Sequence, residues 1–226
     1  TMGSGIDKNE LELSAYDVLT GKCQCVEAIV HAEQAGFDIL PSNGDLTAAE
    51  VELLDMKMKE HRLQYALAEV KQNYDYIFID CPPSLNMLTV NALTAAQNIF
   101  IPMQCEYYAL EGLAALLETI GEIQKVVNPK LEIGGLLRTM YDPRNTLTND
   151  VSDQLKEHFG DKVYSAVIPR NVRLAEAPSY GMPALHYDKA SSGAKSYLAL
   201  AGEFIRRNEG EKADISVASD IEKVTG

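Results

Sequence analysis

The chain has 226 residues, 46% hydrophobic and 23% charged, with a formal net charge of −13. That length and apolar content can carry one sizeable α/β domain with its own core, while the acidic balance excludes a protein that coats nucleic acid over its whole surface and leaves only a local basic patch for such a role. No apolar run approaches the roughly 20 residues of a membrane span, and the start Thr1-Met2-Gly3-Ser4-Gly5 lacks a charged segment leading into an apolar one, so neither export nor membrane insertion is expected.

Residues 1 to about 13 are polar and read as a loop. Ser14 fits an N-cap for a short helix over Ala15 to Leu19 that Gly21 closes. Cys23, Cys25, Cys81 and Cys105 form no disulfide framework in a chain of this length and suit a reducing compartment. Cys23-Gln24-Cys25 lacks the second ligand pair that a zinc site needs, and His31 stands alone. Phe37 to Leu40 reads as a short strand ended by Pro41. Thr47 caps a helix from Ala48 through about Met58, and Leu63, Leu67 and Val70 carry a helical stripe towards Asn73.

Tyr74-Asp75-Tyr76-Ile77-Phe78-Ile79-Asp80-Cys81-Pro82-Pro83-Ser84 follows. Ile77, Phe78 and Ile79 form a continuous apolar run, which predicts a central parallel strand covered on both faces. Pro82 and Pro83 stop ladder and helix alike, so Asp80 falls at the carboxyl edge, where ligands bind in open α/β sheets. A carboxylate there can hold a magnesium-bound water beside a phosphate; the competing reading is an ordinary strand-end turn residue.

Leu88 to Ala96 then reads as a helix and Asn98 to Pro102 as a buried strand. Leu110, Leu113, Ala114, Leu117, Ile120 and Val127 mark a long amphipathic helix that Asn128-Pro129 ends. Ile133 to Met140 is a strand with two glycines at its start, Val151, Leu155 and Phe159 mark a helix stopped by Gly160, and Val163 to Ile168 is a strand ended by Pro169. A long loop runs from Arg170 to Ser192 before a last helix, roughly Ala194 to Arg207. Alternating strands and helices predict a doubly wound, mainly parallel sheet flanked by helices over residues 1–207, with 208–226 as an acidic, disordered tail. The phosphate loop G-x-x-x-x-G-K-[ST] is missing: Gly21-Lys22 is followed by Cys23, and Gly193-Ala194-Lys195-Ser196 separates glycine from lysine.

The Tyr74–Leu85 segment, then Gln104-Cys105-Glu106-Tyr107-Tyr108-Ala109-Leu110-Glu111-Gly112, then Ile168-Pro169-Arg170-Asn171-Val172-Arg173-Leu174 with Glu176-Ala177-Pro178-Ser179, closely resemble the ParA/Soj chromosome-partitioning ATPases. These are deviant Walker A ATPases of P-loop NTPase type, related to MinD and the nitrogenase iron protein, and the match spans about Ser4 to Arg206. The resemblance implies that an N-terminal β-α-β unit with the phosphate loop is missing ahead of Thr1, whose surroundings read as an internal start site or a cloning remnant. It also implies ATP and Mg²⁺ as cofactors and an ATP-dependent dimer that binds non-specific DNA. A ParB/Spo0J-like partner and a cytoplasmic, nucleoid-associated location follow from it too.

Position by position, Asp80 resembles the Walker B acid that orients Mg²⁺ through water, and Cys81, Pro82 and Pro83 resemble the second switch. Thr139, Pro169 and Asn171 resemble the positions flanking adenine, and Arg144 and Arg173 the arginines that bring such proteins to DNA. Pro169 as a plain strand stopper and the arginines as solvated surface residues are the competing readings. The helix over Tyr107 to Val127 lies near the dimer surface in the family. Without a phosphate loop, ATP hydrolysis by these residues is not expected. The alternatives are a non-catalytic fragment that works only by protein association, and a MinD-like membrane cycle. The acidic residues after Arg207 argue against the latter. A cysteine enzyme built on Cys81 is disfavoured by its neighbour Asp80 and the lack of a nearby histidine in sequence.

Overall fold

A computed structural model of the protein describes residues 1–82 and 84–209. Pro83 and the acidic stretch 210–226 lie outside the described residues. The chain divides into two compact units, residues 1–99 with 118–132, and residues 100–117 with 133 onwards.

In the first unit, α1 (Ala15–Thr20) starts and stops where its end residues dictate. Ser14 and Asp17 form a reciprocal capping box, and Gly21 takes the left-handed conformation at φ 79° that closes the helix. α2 (Cys25–Ala28) packs beside it, and Val18, Cys25, Ala28 and Val70 share a small core. Cys25 is therefore a core thiol, and no group of three or more potential metal ligands occurs among the described residues. Two short strands, β1 (Val30–Ala32) and β2 (Phe37–Ile39), form an antiparallel hairpin with His31 directly opposite Asp38. The sequence pattern shows only β2, because β1 is three residues long and carries no alternation.

α3 (Leu46–Leu54), α4 (Arg62–Ala68) and α5 (Met87–Ala95) follow. Asn91, fully buried on α5, ties α5 to α4 and the turn before it: its Oδ1 accepts from Leu63 N at 3.1 Å, and its Nδ2 donates to Lys59 O at 2.7 Å and, within its own helix, to Met87 O at 3.0 Å. The C-terminal carbonyls of α5 are satisfied by Asn128, whose amide donates to Leu93 O, Thr94 O and Ala96 O.

The second unit contains most of a three-stranded sheet in the order β3 (Asn98–Gln104), β4 (Glu132–Tyr141), β5 (Val163–Pro169). β4 and β5 run parallel, with Tyr141 opposite Pro169 at their carboxyl ends, and the register shifts on both sides of Arg138. Helix α6 (Tyr107–Val126) leads from β3 towards β4, and α7 (Thr146–Phe159) connects β4 to β5. Leu137, Tyr164 and Ile168 form the core here, with Phe100, Leu174, Leu200 and Phe204 packed around them. The long loop expected over 170–192 is instead broken into α8 (Val172–Glu176), a 3₁₀ turn at Ala177–Tyr180 and α9 (Ala184–Tyr187), before α10 (Ser192–Glu209). These helices are of four or five residues, too short for an apolar stripe to show among the prolines and glycines.

The α/β expectation holds, with one local correction. Residues 76–82 have no regular secondary structure, and Ile77 and Phe78 are 42% and 72% exposed. Neither described sheet includes this segment. An apolar run becomes a central parallel strand only when neighbouring strands bond its N–H and C=O groups and helices cover both faces.

Candidate functional site

Asp80 is exposed at the end of that irregular segment, followed by exposed Cys81 and Pro82. The Cys81 thiol sits 3.7 Å from Ile79 O, and its pKa is pushed up, first by local desolvation of the sulfur and then by the adjacent Asp80 charge. A thiol held protonated in this way is a poor nucleophile. The segment is tethered upstream through Tyr74, whose hydroxyl donates to Asp38 Oδ2 at 2.8 Å on the hairpin.

The other predicted residues gather at the carboxyl edge of β4 and β5 in the second unit. Thr139 and Pro169 are half-buried near the ends of these neighbouring parallel strands. Between Thr139 and the end of β4, Met140 adopts a left-handed φ of 51°, a conformation a non-glycine residue holds only where its surroundings enforce it. It falls at the register shift between Arg138 and Tyr141, so the backbone that presents Thr139 is a bulge rather than a regular strand.

Asn171 caps α8: its Oδ1 accepts from Leu174 N at 3.3 Å, and its Nδ2 donates to Ser192 Oγ at 2.8 Å. The Asn171 side chain is thus committed to local structure.

Arg144 lies on the turn between β4 and α7. Asn145 N bonds Asp142 O, Asn149 Nδ2 bonds Pro143 O, and the Tyr141 hydroxyl donates to Asn149 Oδ1, which fixes the turn at both ends. The guanidinium forks onto Asp142, Nε to Oδ1 at 2.9 Å and Nη2 to Oδ2 at 2.8 Å, while the Arg144 side chain remains 87% exposed. These bonds, with that from the Arg144 backbone N–H and the charge of Arg170, hold the Asp142 carboxyl down at about 2. Arg170 thus shares the Asp142 neighbourhood. Sequence reasoning passed over it although it stands inside the quoted Pro169-Arg170-Asn171 motif.

Arg173 on α8 is also engaged, with Glu176 Oε2 at 2.9 Å and Asp188 Oδ2 at 3.4 Å. Both predicted DNA-contacting arginines are therefore half-neutralised. Exposed pairs of this kind contribute only about 0–1 kcal/mol and exchange readily for a phosphate.

On α6, Leu113 and Ile120 are buried while Tyr107 and Tyr108 stand exposed at its start. No helix among the described residues is long and apolar enough to cross a membrane.

A family model described as an AAA domain matches residues 1–133. The chain is 48% identical over 213 residues to the chromosome partitioning protein ParA of Caulobacter vibrioides, covering 93% of this chain and 80% of that protein. It is 50% identical over 203 residues to the sporulation initiation inhibitor protein Soj of Bacillus subtilis, covering 90% and 80% respectively. Among solved structures, a cobyrinic acid a,c-diamide synthase from Mycobacterium smegmatis with bound ADP and magnesium superposes with a TM-score of 0.76 at 34% identity, over 92% of this chain and 78% of that one.

Proposed function

Because the chain belongs to the ParA/Soj family of chromosome-partitioning ATPases, with the α/β fold of P-loop NTPases, we propose that it serves DNA segregation by binding non-specific DNA through Arg144 and Arg173. The observation that carries this reading is the near-50% identity to named partition proteins over about nine-tenths of the chain. Arg170 joins the two arginines on the strength of its proximity to Asp142.

At the same edge, Thr139, Pro169 and the Asn171 backbone are the proposed surroundings of an adenine base. Asp80 is the proposed acid that holds magnesium through water, with Cys81, Pro82 and Pro83 as the switch beside it. ATP and magnesium, when bound, supply the phosphoryl-transfer chemistry. The 226 residues contain no G-x-x-x-x-G-K-[ST] loop, and Asp80 stands on a segment that no ladder holds, so hydrolysis by these residues alone is negligible in this proposal. A family-type dimer and a ParB/Spo0J-like partner belong to the same reading.

The test is fluorescence anisotropy with a short random-sequence duplex at two salt concentrations. Arg144→Ala and Arg173→Ala each weaken binding and lower the salt slope by about one contact, while Asp142→Asn tightens it by freeing Arg144. Affinity unchanged in all three variants overturns the assignment. Measured alongside, ATP turnover that disappears in Asp80→Ala would overturn the view that hydrolysis is absent.

A second reading, a non-catalytic chain that acts by association, is favoured by one observation: Ile77, Phe78 and Leu85 are large apolar residues exposed around Asp80. Concentration-dependent self-association in light scattering supports it, and a monomer at every concentration removes it.

A further inference from the structure

Arg138 is only 5% exposed, yet nothing it touches is an anion. Its Nη1 donates to Ser152 Oγ at 2.9 Å, its Nη2 to the carbonyls of Tyr164 and Ser165 at 2.8 and 3.2 Å, and its Nε is buried without a partner. Among the described residues its guanidinium makes no ion pair. Buried charges in proteins are ordinarily paired, because leaving one uncompensated in a poorly solvated site is unfavourable.

The residue borders an open cleft of about 550 Å³ lined by the end of α7 and the start of β5. Lys156 and Arg207 line the same cleft, and Asp161 is the one carboxylate among the residues that line it. Lys156 and Arg207 each already have a carboxylate partner, Asp153 and Glu203, which leaves Arg138 as the lining cation without one.

The other two cations are arranged to different ends. Arg207 is held rigidly: it lies over the Tyr164 ring at 4.0 Å and donates to Asp161 O at 2.6 Å, Val163 O at 3.1 Å and Glu203 Oε1 at 2.7 Å. Glu203 in turn accepts from the N–H groups of Ser165 and Ala166, both at 2.8 Å, so the peptide units at the start of β5 are clamped between Arg138 and Glu203. Lys156 has fewer ties, paired with Asp153 at 3.2 Å on the exposed helix face. A buried guanidinium that lies over the Tyr141 ring at 5.7 Å but has no carboxylate partner, beside a fixed Arg207 and a half-exposed Lys156 ammonium, suits an oxyanion that enters from solvent.

We propose that this cleft is a phosphate-binding site, with Arg138 and Lys156 as its principal cations and Arg207 as its fixed wall. The ligand is a phosphate group, either free or as the ester of a larger molecule, since the cleft has room for more than one phosphate. The site is independent of the DNA-contacting arginines and of any nucleotide at the Thr139–Pro169 edge.

Equilibrium dialysis of the full chain with radiolabelled inorganic phosphate, at ionic strength fixed with sodium chloride, tests it. One saturable site per chain is expected, weakened about tenfold or more by Lys156→Gln and abolished by Arg138→Met. Lys156→Gln changes an exposed side chain and keeps the test valid if Arg138→Met fails to fold. Arg144→Ala leaves phosphate uptake unchanged, which separates this site from the proposed DNA surface. Displacement by a nucleoside monophosphate identifies an ester ligand and displacement by a short duplex identifies a nucleic-acid backbone. Displacement by neither identifies free phosphate. No saturable uptake by about 10 mM, or uptake unchanged by Lys156→Gln, overturns the proposal.

Discussion

Replacing Gly135 by alanine should expose how tightly the second unit is packed. A Cβ at this position of β4 would collide with Cε2 of Tyr164, and would lie 2.8 Å from its Cδ2 and 3.1 Å from the carbonyl oxygen of Lys162. Carbon atoms make contact at about 3.5 Å, so the tyrosine ring has to retreat by more than about 1 Å. It has little room to do so. Tyr164 is almost fully buried, makes a T-shaped contact with Phe100 at 5.0 Å between centroids, and carries Arg207 over its ring at 4.0 Å.

Overpacking a core typically costs about 1–3 kcal/mol, and the enclosed ring puts Gly135→Ala at the upper end. The stiffer unfolded chain returns about 0.4–1 kcal/mol, which leaves a net destabilisation of about 2 kcal/mol. For a chain of this size that lowers Tm by about 4–8 °C. Urea unfolding followed by far-ultraviolet circular dichroism and by tyrosine fluorescence reads both units, since the chain has 11 tyrosines and no tryptophan. Trimming the ring in the double variant Gly135→Ala/Tyr164→Leu should relieve the clash, so the two substitutions together cost at least about 1 kcal/mol less than their sum. Strict additivity, or a Gly135→Ala protein within about 0.5 kcal/mol of the parent, would refute the packing argument.

Asn91→Ala removes a buried amide that serves three backbone groups and should destabilise the first unit by about 2–3 kcal/mol in the same urea assay. A loss below about 1 kcal/mol would mean that water or backbone relaxation replaces those bonds. His31 provides a pH test. Its Nδ1 lies 2.7 Å from Asp38 Oδ1, and chiefly this hydrogen bond raises the imidazole above its ordinary 6.5, against desolvation and with help from the charges of Glu33 and Asp38. Because the folded value is the higher one, the contribution of protonated His31 to stability is fully present below pH 6.5 and is lost as pH rises through the folded value. A proton NMR titration should place His31 above 6.5 in the parent and return it towards 6.5 in Asp38→Asn. Titration at or below 6.5 in the parent would show that the cross-strand pair does not form in solution.

Much of the fold was legible because local chemistry settles it. Ser14, Asp17 and Gly21 define both ends of α1 without help from the rest of the chain. The apolar runs of β4 and β5 with Pro169 behind them, and the heptad-like stripe of α6, likewise announce their elements. The short helices α8 and α9 were hidden because four or five residues cannot display a period, although Asn171 is a sound cap. Family resemblance singled out Thr139, Pro169, Asn171, Arg144 and Arg173, and the geometry adds which local groups three of them are bonded to. Asn171 is a cap first, and both arginines are already paired with carboxylates.

By itself the sequence determined the family and the α/β alternation, since those follow from motifs and from hydrophobic spacing along the chain. Only tertiary structure decided two things. The Ile77-Phe78-Ile79 run, strand-like in every local respect, stays outside the sheets, because a parallel strand is a property of its neighbours as much as of its residues. Arg138, unremarked among the apolar residues of β4, emerges as a buried charge beside a cationic cleft, because burial and counter-charge are set by residues distant in sequence, from Ser152 to Arg207.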